Sequence, residues 1–489
     1  MMEILRKVFT LLGGAVVAVA LLLFLLIGPL PWNNTSRSFA EIDRHFRYGS
    51  IGGESTNGLP YWIWKVLPDM FADQLPIDAP ATDYTAFGFL QEPGEDLPIG
   101  FARSRTSGID VVTQNCATCH VGSVRTTTDA IPELISGMPS HNVNLQAYIK
   151  FLRDVADDSR FTSDQLIPYI QAASGGLGPI EKLVYRFVAI PRTREQLTLQ
   201  RANLAFMDRQ IPYGPGRIDT FTPYKTLRFS TPDSQLRQDE LSGIADFPPI
   251  WMQGPRKGLQ LHWDGNNDSI DERNKSAALA LVQPTTINFA SVHRIRDWLL
   301  DLPPPNYPFP IEAKLADQGE TIYNTNCAEC HAFGGAKTGT VEDIKQILTD
   351  PGRLVSYTPE LASNQYSLFA EINYQGKDQR FTHFRKTNGY ANLPLDGVWL
   401  RAPYLHNGSV PTLAALLSSP SDRPQTFYRG NDNYDSAAVG FVSDVPSEQN
   451  HTYFFYDTSL PGNGNGGHLY GIDLPEDDKL ALIEYLKTF

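Results

Sequence analysis

Hydrophobic positions are spread unevenly along the chain, and the first pattern met is an unbroken run. From Val8 to Trp32 no charged residue occurs, and Leu11 to Ile27 is almost wholly Leu, Val, Ala and Phe. Such a run reaches across a hydrocarbon core of about 30 Å, whereas the apolar part of an export signal usually spans about 7 to 15 residues. Arg6 and Lys7 precede it, so the positive-inside rule places residues 1–7 in the cytoplasm and a transmembrane anchor at 8–32. A cleaved signal is the alternative, since Ala15, Ala18 and Ala20 are small, but no small-x-small site follows the run. The expected location is the inner membrane, single-pass, with everything after Trp32 in the periplasm.

Further on, apolar residues recur with helical spacing in three places. Ile287 to Leu300 is one. Ile311 to Tyr323 sets Ala313, Ala316, Gly319 and Tyr323 on one close-packing face, and Pro475 to Phe489 repeats Leu480, Leu482, Ile483, Tyr485 and Leu486. Residues 302–310 are proline-dense and can continue neither a helix nor a central strand. They divide the chain into an N-terminal unit, 40–301, and a C-terminal unit, 311–489. The N-terminal unit opens on an aromatic stretch, Leu59 to Trp64, that has no clear period and suits either a core or the wall of a cofactor site. The fold expected from these elements is mainly α-helical.

Composition fits two packed units: 489 residues, 42% hydrophobic and 19% charged, exceed one ordinary core and exclude a disordered chain. The net charge of −13 repels nucleic acid and anionic surfaces, and would steer a small basic redox protein toward docking.

The cysteines carry the chemistry. All four lie in two Cys-x-x-Cys-His motifs, Cys116-Ala117-Thr118-Cys119-His120 and Cys327-Ala328-Glu329-Cys330-His331. In that spacing two thiols add across the vinyl groups of haem and the adjacent His is delivered to the iron. A thioredoxin-like pair needs no following His, and a structural zinc site needs two more ligands beside each pair. Two covalently attached c-type haems are expected, with His120 and His331 as proximal iron ligands. This chemistry also matches an exported protein.

The sixth iron positions are less explicit. His468, in a glycine-rich loop from Gly462 to Gly467, and His406, in Ala402-Pro403-Tyr404-Leu405-His406-Asn407, are the candidates for the second haem; no methionine follows its motif. Met138 and His141 stand near the first motif without announcing a ligand. A vacant position there is what an iron needs to bind peroxide or dioxygen.

With Leu261-His262-Trp263-Asp264-Gly265 between the haem motifs and Ala402 to Ser409 after them, the chain resembles the bacterial di-haem cytochrome c peroxidase superfamily, which includes the methylamine-utilisation di-haem enzyme. The aromatic opening, Trp263 to Asn274 and the terminal Gly-Asn-Gly-Asn-Gly-Gly-His look most like its rubber-oxygenase branch. The resemblance implies two cytochrome c-like haem domains, Trp263 passing electrons between haems, and His468 rather than His406 as the sixth ligand. It also implies Gln and Glu roughly ten and twenty places after the Trp, positions that hold Arg273 and Gln283 here, with Glu272 beside the first. Trp263, Glu272 and Arg273 are the candidate catalytic residues. Calcium between the domains is a further implication. The function expected is a haem oxidoreductase of peroxidase or oxygenase type, fed by a small redox protein or small-molecule donor. A non-enzymatic di-haem electron-transfer cytochrome is the competing class.

Overall fold

The computed structural model describes residues 34–76 and 82–489. The expected segments 1–7 and 8–32 lie outside them. Among the described residues no helix is long and apolar enough to cross a membrane. The most extended helical stretch, Pro179 to Asn203 with a π turn at Tyr185–Ala189, carries Glu181, Lys182, Arg186, Arg192, Arg194, Glu195 and Arg201. Charges of that number are costly in a bilayer. This finding conflicts with the expected inner-membrane, single-pass placement, whose span at 8–32 lies outside the described residues.

The fold class also needs correction. With 38% helix and 14% strand the chain is mixed α/β, not mainly α. The missed strands are two to six residues long, most of them only two or three and too short to display a period of two, and they sit among turns. They matter for the site. A three-stranded antiparallel sheet has Ile109–Gln114 in its centre, between Leu59–Pro60 and Phe101–Thr106, and that central strand runs directly into the first haem motif.

The three periodic segments are helices: Phe289–Leu299, Ala313–Asn326 and Glu476–Leu486. The last two cross where Gly319 has no side chain: a Cβ there would stand 1.9 Å from the Ala481 carbonyl oxygen. Ala316, Gly319 and Tyr323 form the buried face, as do Leu482, Ile483 and Leu486 opposite, whereas Leu480 is exposed. Residues 302–312 have neither helix nor strand, yet Tyr307 and Phe309 pack on Tyr434, and Tyr307 on Trp399.

The aromatic opening serves as both core and wall. Tyr61–Met70 is a helix whose Trp64 stacks on Tyr84 at 4.0 Å and donates Nε1–H to the Tyr148 hydroxyl at 3.2 Å. Trp64 and Tyr148 also line the cavity described next.

Candidate functional site

The first motif is fixed by the residue before it. Asn115, fully buried, accepts the Ala117 N–H on Oδ1 at 2.9 Å and donates Nδ2–H to the Gly49 carbonyl at 2.8 Å, so the short helix Ala117–His120 starts at a set angle. Gly100 packs so close to Thr118 that a Cβ would meet its backbone nitrogen at 2.5 Å. Cys116, Cys119 and His120 then face a cavity of about 370 Å³, within the size range of pockets that enclose a cofactor or small ligand. Its walls are mainly apolar, among them Leu59, Phe101, Leu145, Leu152 and Phe247.

Both motif histidines are oriented alike. His120 Nδ1 donates to the Pro248 carbonyl at 3.0 Å, and His331 Nδ1 to the Leu393 carbonyl at 2.8 Å. Each bond fixes the tautomer and leaves Nε2 as a lone-pair ligand. Burial, then the nearby Arg273 charge, drops His120 to about 3, and burial lowers His331, so both rings are neutral at pH 7. All four thiols are free of disulfide, and burial pushes Cys116 and Cys327 up to about 11. This donor set fits covalent haem at both motifs.

The rings of His331 and His468 face each other with centroids 6.2 Å apart and planes inclined by 39°. An iron with nitrogen bonds of about 2.0 Å on opposite sides needs imidazole centres about 6.3 Å apart. The spacing therefore suits one metal ion between them. Burial, then His331 and Arg423, brings His468 to about 4, and its Nδ1 is buried without a hydrogen-bond partner. His468 takes φ +48° and donates its N–H to the Ile347 carbonyl at 2.8 Å. The glycines before it let the loop approach protein backbone: a Cβ on Gly467 would lie 2.3 Å from Thr349 N.

Two residues that sequence reasoning did not single out hold this loop. Arg423, 2% exposed, donates to the carbonyls of Asn465, Gly467, His468 and Leu416 at 2.6 to 3.3 Å. Asn407 Nδ2 donates to the carbonyls of Gly462 and Gly464 at 3.1 and 2.9 Å. The loop containing His406 thus supports the His468 loop through Asn407. His406 itself stacks on Tyr390 at 4.0 Å, and its Nε2 donates at 2.9 Å to the Tyr390 oxygen, whose own proton goes to the Asp350 carbonyl. That nitrogen is engaged and away from His331.

Trp263 lines the first cavity and packs against Ile347, Leu354 and Tyr390, beside the segment whose Ile347 carbonyl anchors His468. Its Nε1–H donates to the Asp246 carbonyl at 2.8 Å. Asp246 joins the two units: its carboxylate takes both Arg429 Nη groups at 3.0 Å, and its N–H donates to the His406 carbonyl at 2.9 Å. Asp264 is fully buried against Arg353 at 2.9 Å.

Arg273 lines the first cavity and has no side-chain hydrogen bond or ion pair among the described residues; burial, then Arg256, brings it to about 10. Glu272 is placed elsewhere: its oxygens accept from Asn267, Thr382 and His383 at 2.7 to 3.1 Å, and it does not line the cavity. Met138 is buried in the apolar core of the second unit, and His141 stacks on Phe441 at 3.9 Å. Among the described residues no group of three or more His, Cys, Asp or Glu is placed to hold a metal ion.

A family model described as "RoxA-like, cytochrome c-like" matches residues 389–428, the stretch that supplies Leu393, Asn407 and Arg423. Two relatives come from Sinorhizobium fredii (strain NBRC 101917 / NGR234). Uncharacterized protein y4iM is 33% identical over 291 residues, 50% of this chain and 64% of the relative. Uncharacterized protein y4iJ is 25% identical over a 572-residue alignment that covers 92% of each chain. The chain thus spans less than two thirds of the first relative's length. The cytochrome c-like match implies covalent c-type haem with iron.

Proposed function

We propose that the chain is a di-haem oxidoreductase in which the site at Cys116–His120 activates peroxide or dioxygen and the site at Cys327–His331 stores and exchanges electrons. The observation that carries this reading is an asymmetry. His331 has His468 at 6.2 Å across the space an iron would fill, whereas His120 opens on a cavity of about 370 Å³ with no imidazole paired to it in that way among the described residues. When bound, c-type haem supplies a redox-active iron whose unoccupied face accepts a small ligand. The chain's own residues do the rest. Pro248 and Leu393 carbonyls aim the proximal imidazoles, the apolar wall limits water, and Trp263 bridges the cavity wall and the Ile347 side of the second site.

The RoxA-like match supports the dioxygen arm, and Glu272, tied up in backbone and side-chain hydrogen bonds, supplies no acid to the cavity. A small redox protein or small-molecule donor fits as the source of electrons in the peroxide arm. Two assays test the proposal: oxidation of a reduced small cytochrome by hydrogen peroxide, and oxygen uptake with an unsaturated hydrocarbon. Turnover in either, lost in His120→Ala, is the expected result. Absence of turnover in both, with both haems loaded, contradicts it.

A further inference from the structure

His262 is the cavity residue that the reading above leaves without a task. It lines the same cavity as His120 and Arg273, and it is held in the left-handed region at φ +62°. Few side chains adopt that region, histidine more readily than most, and such positions concentrate at functional sites. Its orientation is fixed from behind: Nδ1–H donates to Asn266 Oδ1 at 2.6 Å, Asn266 is 1% exposed, and the ring lies against Phe384. The Asn bond commits the proton to Nδ1. Nε2 is left with a lone pair and has no hydrogen-bond partner among the described residues. Burial, then the Arg273 charge, brings the ring to about 4 against the upward pull of Asn266 and Asp264, with Arg353 adding to the fall; at pH 7 it is neutral.

Arg273 complements it. Its half-buried guanidinium has no carboxylate partner among the described residues, an arrangement that an anion in the cavity would complete. A neutral imidazole lone pair and an unpaired guanidinium in one mostly apolar pocket form a site for a weak acid that must shed its proton to bind.

We propose that His262 is the proton acceptor and Arg273 the anion holder of the first site, so that a small weak acid H–X, hydrogen peroxide above all, enters neutral and binds as X⁻. The H–X bond breaks, the proton passes to His262 Nε2 to give an imidazolium, and the electron pair stays on X⁻ beside Arg273. No oxidant or reductant is consumed in this step. Asn266 is a positioning residue, since it holds the imidazole by the nitrogen that does not react. The inference rests on the first haem accepting an outside ligand, as in the function proposed above.

Hydrogen cyanide, itself a weak acid protonated at pH 7, is the probe. The oxidised holoprotein is mixed with cyanide at pH 7 and the absorption change of the first haem is followed by stopped flow. His262→Leu is expected to slow association about 10²-fold, the scale of positioned acid–base catalysis. Arg273→Leu is expected to weaken cyanide affinity at least tenfold, and Arg273→Lys to recover part of that loss. The unchanged spectrum of the second haem serves as the control for folding and loading. Wild-type rates in His262→Leu overturn the inference while leaving the proposed function standing. So does a wild-type first haem that is low-spin and binds cyanide only after His262→Leu, which would make His262 an iron ligand. If wild-type protein binds cyanide at neither haem and stays low-spin in His262→Leu, the proposed function fails and the inference with it.

Discussion

The imidazole of His468 lies beside that of His331, 6.2 Å between ring centres with planes inclined by 39°, although the two residues are separated by most of the C-terminal unit. The sequence between them folds several short helices and two-stranded ladders before the clamped glycine loop brings the two rings together. His468→Ala is expected to abolish the six-coordinate, low-spin spectrum of the second haem. His406→Ala, which loses the stack and the hydrogen bond on Tyr390, is expected to keep it. Absorption and electron paramagnetic resonance spectra of the two variants check both outcomes.

Arg423 is a second point of attack on the same loop. Its guanidinium donates to five backbone carbonyls, those of Leu416, Ser418, Asn465, Gly467 and His468, and Arg423→Ala removes that donor from all of them. The expected loss is about 1.5–3 kcal/mol, the scale of hydrogen bonds to a charged group. Because three of the carbonyls belong to residues 465–468, the same variant is expected to loosen His468, so denaturant unfolding should shift together with a rise in high-spin signal from the second haem.

Asp246 tests how the two units are joined. Its pair with Arg429 is 9% and 1% exposed on the two side chains, and Asp246→Ala strands a buried guanidinium. Removing one partner of such a pair costs about 3–5 kcal/mol, and the double variant Asp246→Ala with Arg429→Met is expected to recover part of it. Equilibrium unfolding of the single and double variants measures the coupling.

Gly319 marks the helix crossing. With the Ala481 carbonyl 1.9 Å from where a Cβ would be, Gly319→Val forces the helices Ala313–Asn326 and Glu476–Leu486 apart. Overpacking of this kind costs about 1–3 kcal/mol. Thermal unfolding followed by circular dichroism reads the loss, and Ala313→Val, at an exposed position on the same helix, is the control.

Much of this was legible in the chain. The two Cys-x-x-Cys-His motifs point to covalent haem by spacing alone, and the three apolar helical repeats are the helices observed. The strands were not legible, because two-residue ladders such as Leu59–Pro60 depend on partners about fifty residues away. Arg423 was invisible for a related reason: it lies in a polar turn, and only the fold brings the glycine loop to it. Glu272 drew attention by counting along the chain from Trp263. In the structure the start of the helix Ile270–Ala278 turns its carboxylate toward Thr382 and His383, a contact more than a hundred residues distant in sequence. His262 gave a sequence signal no stronger than any other histidine; its meaning comes from Asn266, Arg273 and the cavity they share.

The central claim is the inequality of the two sites, and ligand stoichiometry tests it most directly. Reduced protein loaded with two haems is titrated with carbon monoxide while the spin state of each iron is followed. One equivalent bound, at a haem that is lost in His120→Ala, with the other haem low-spin throughout, is the predicted result. Two low-spin haems that refuse carbon monoxide, or two haems that both bind it, contradict the account.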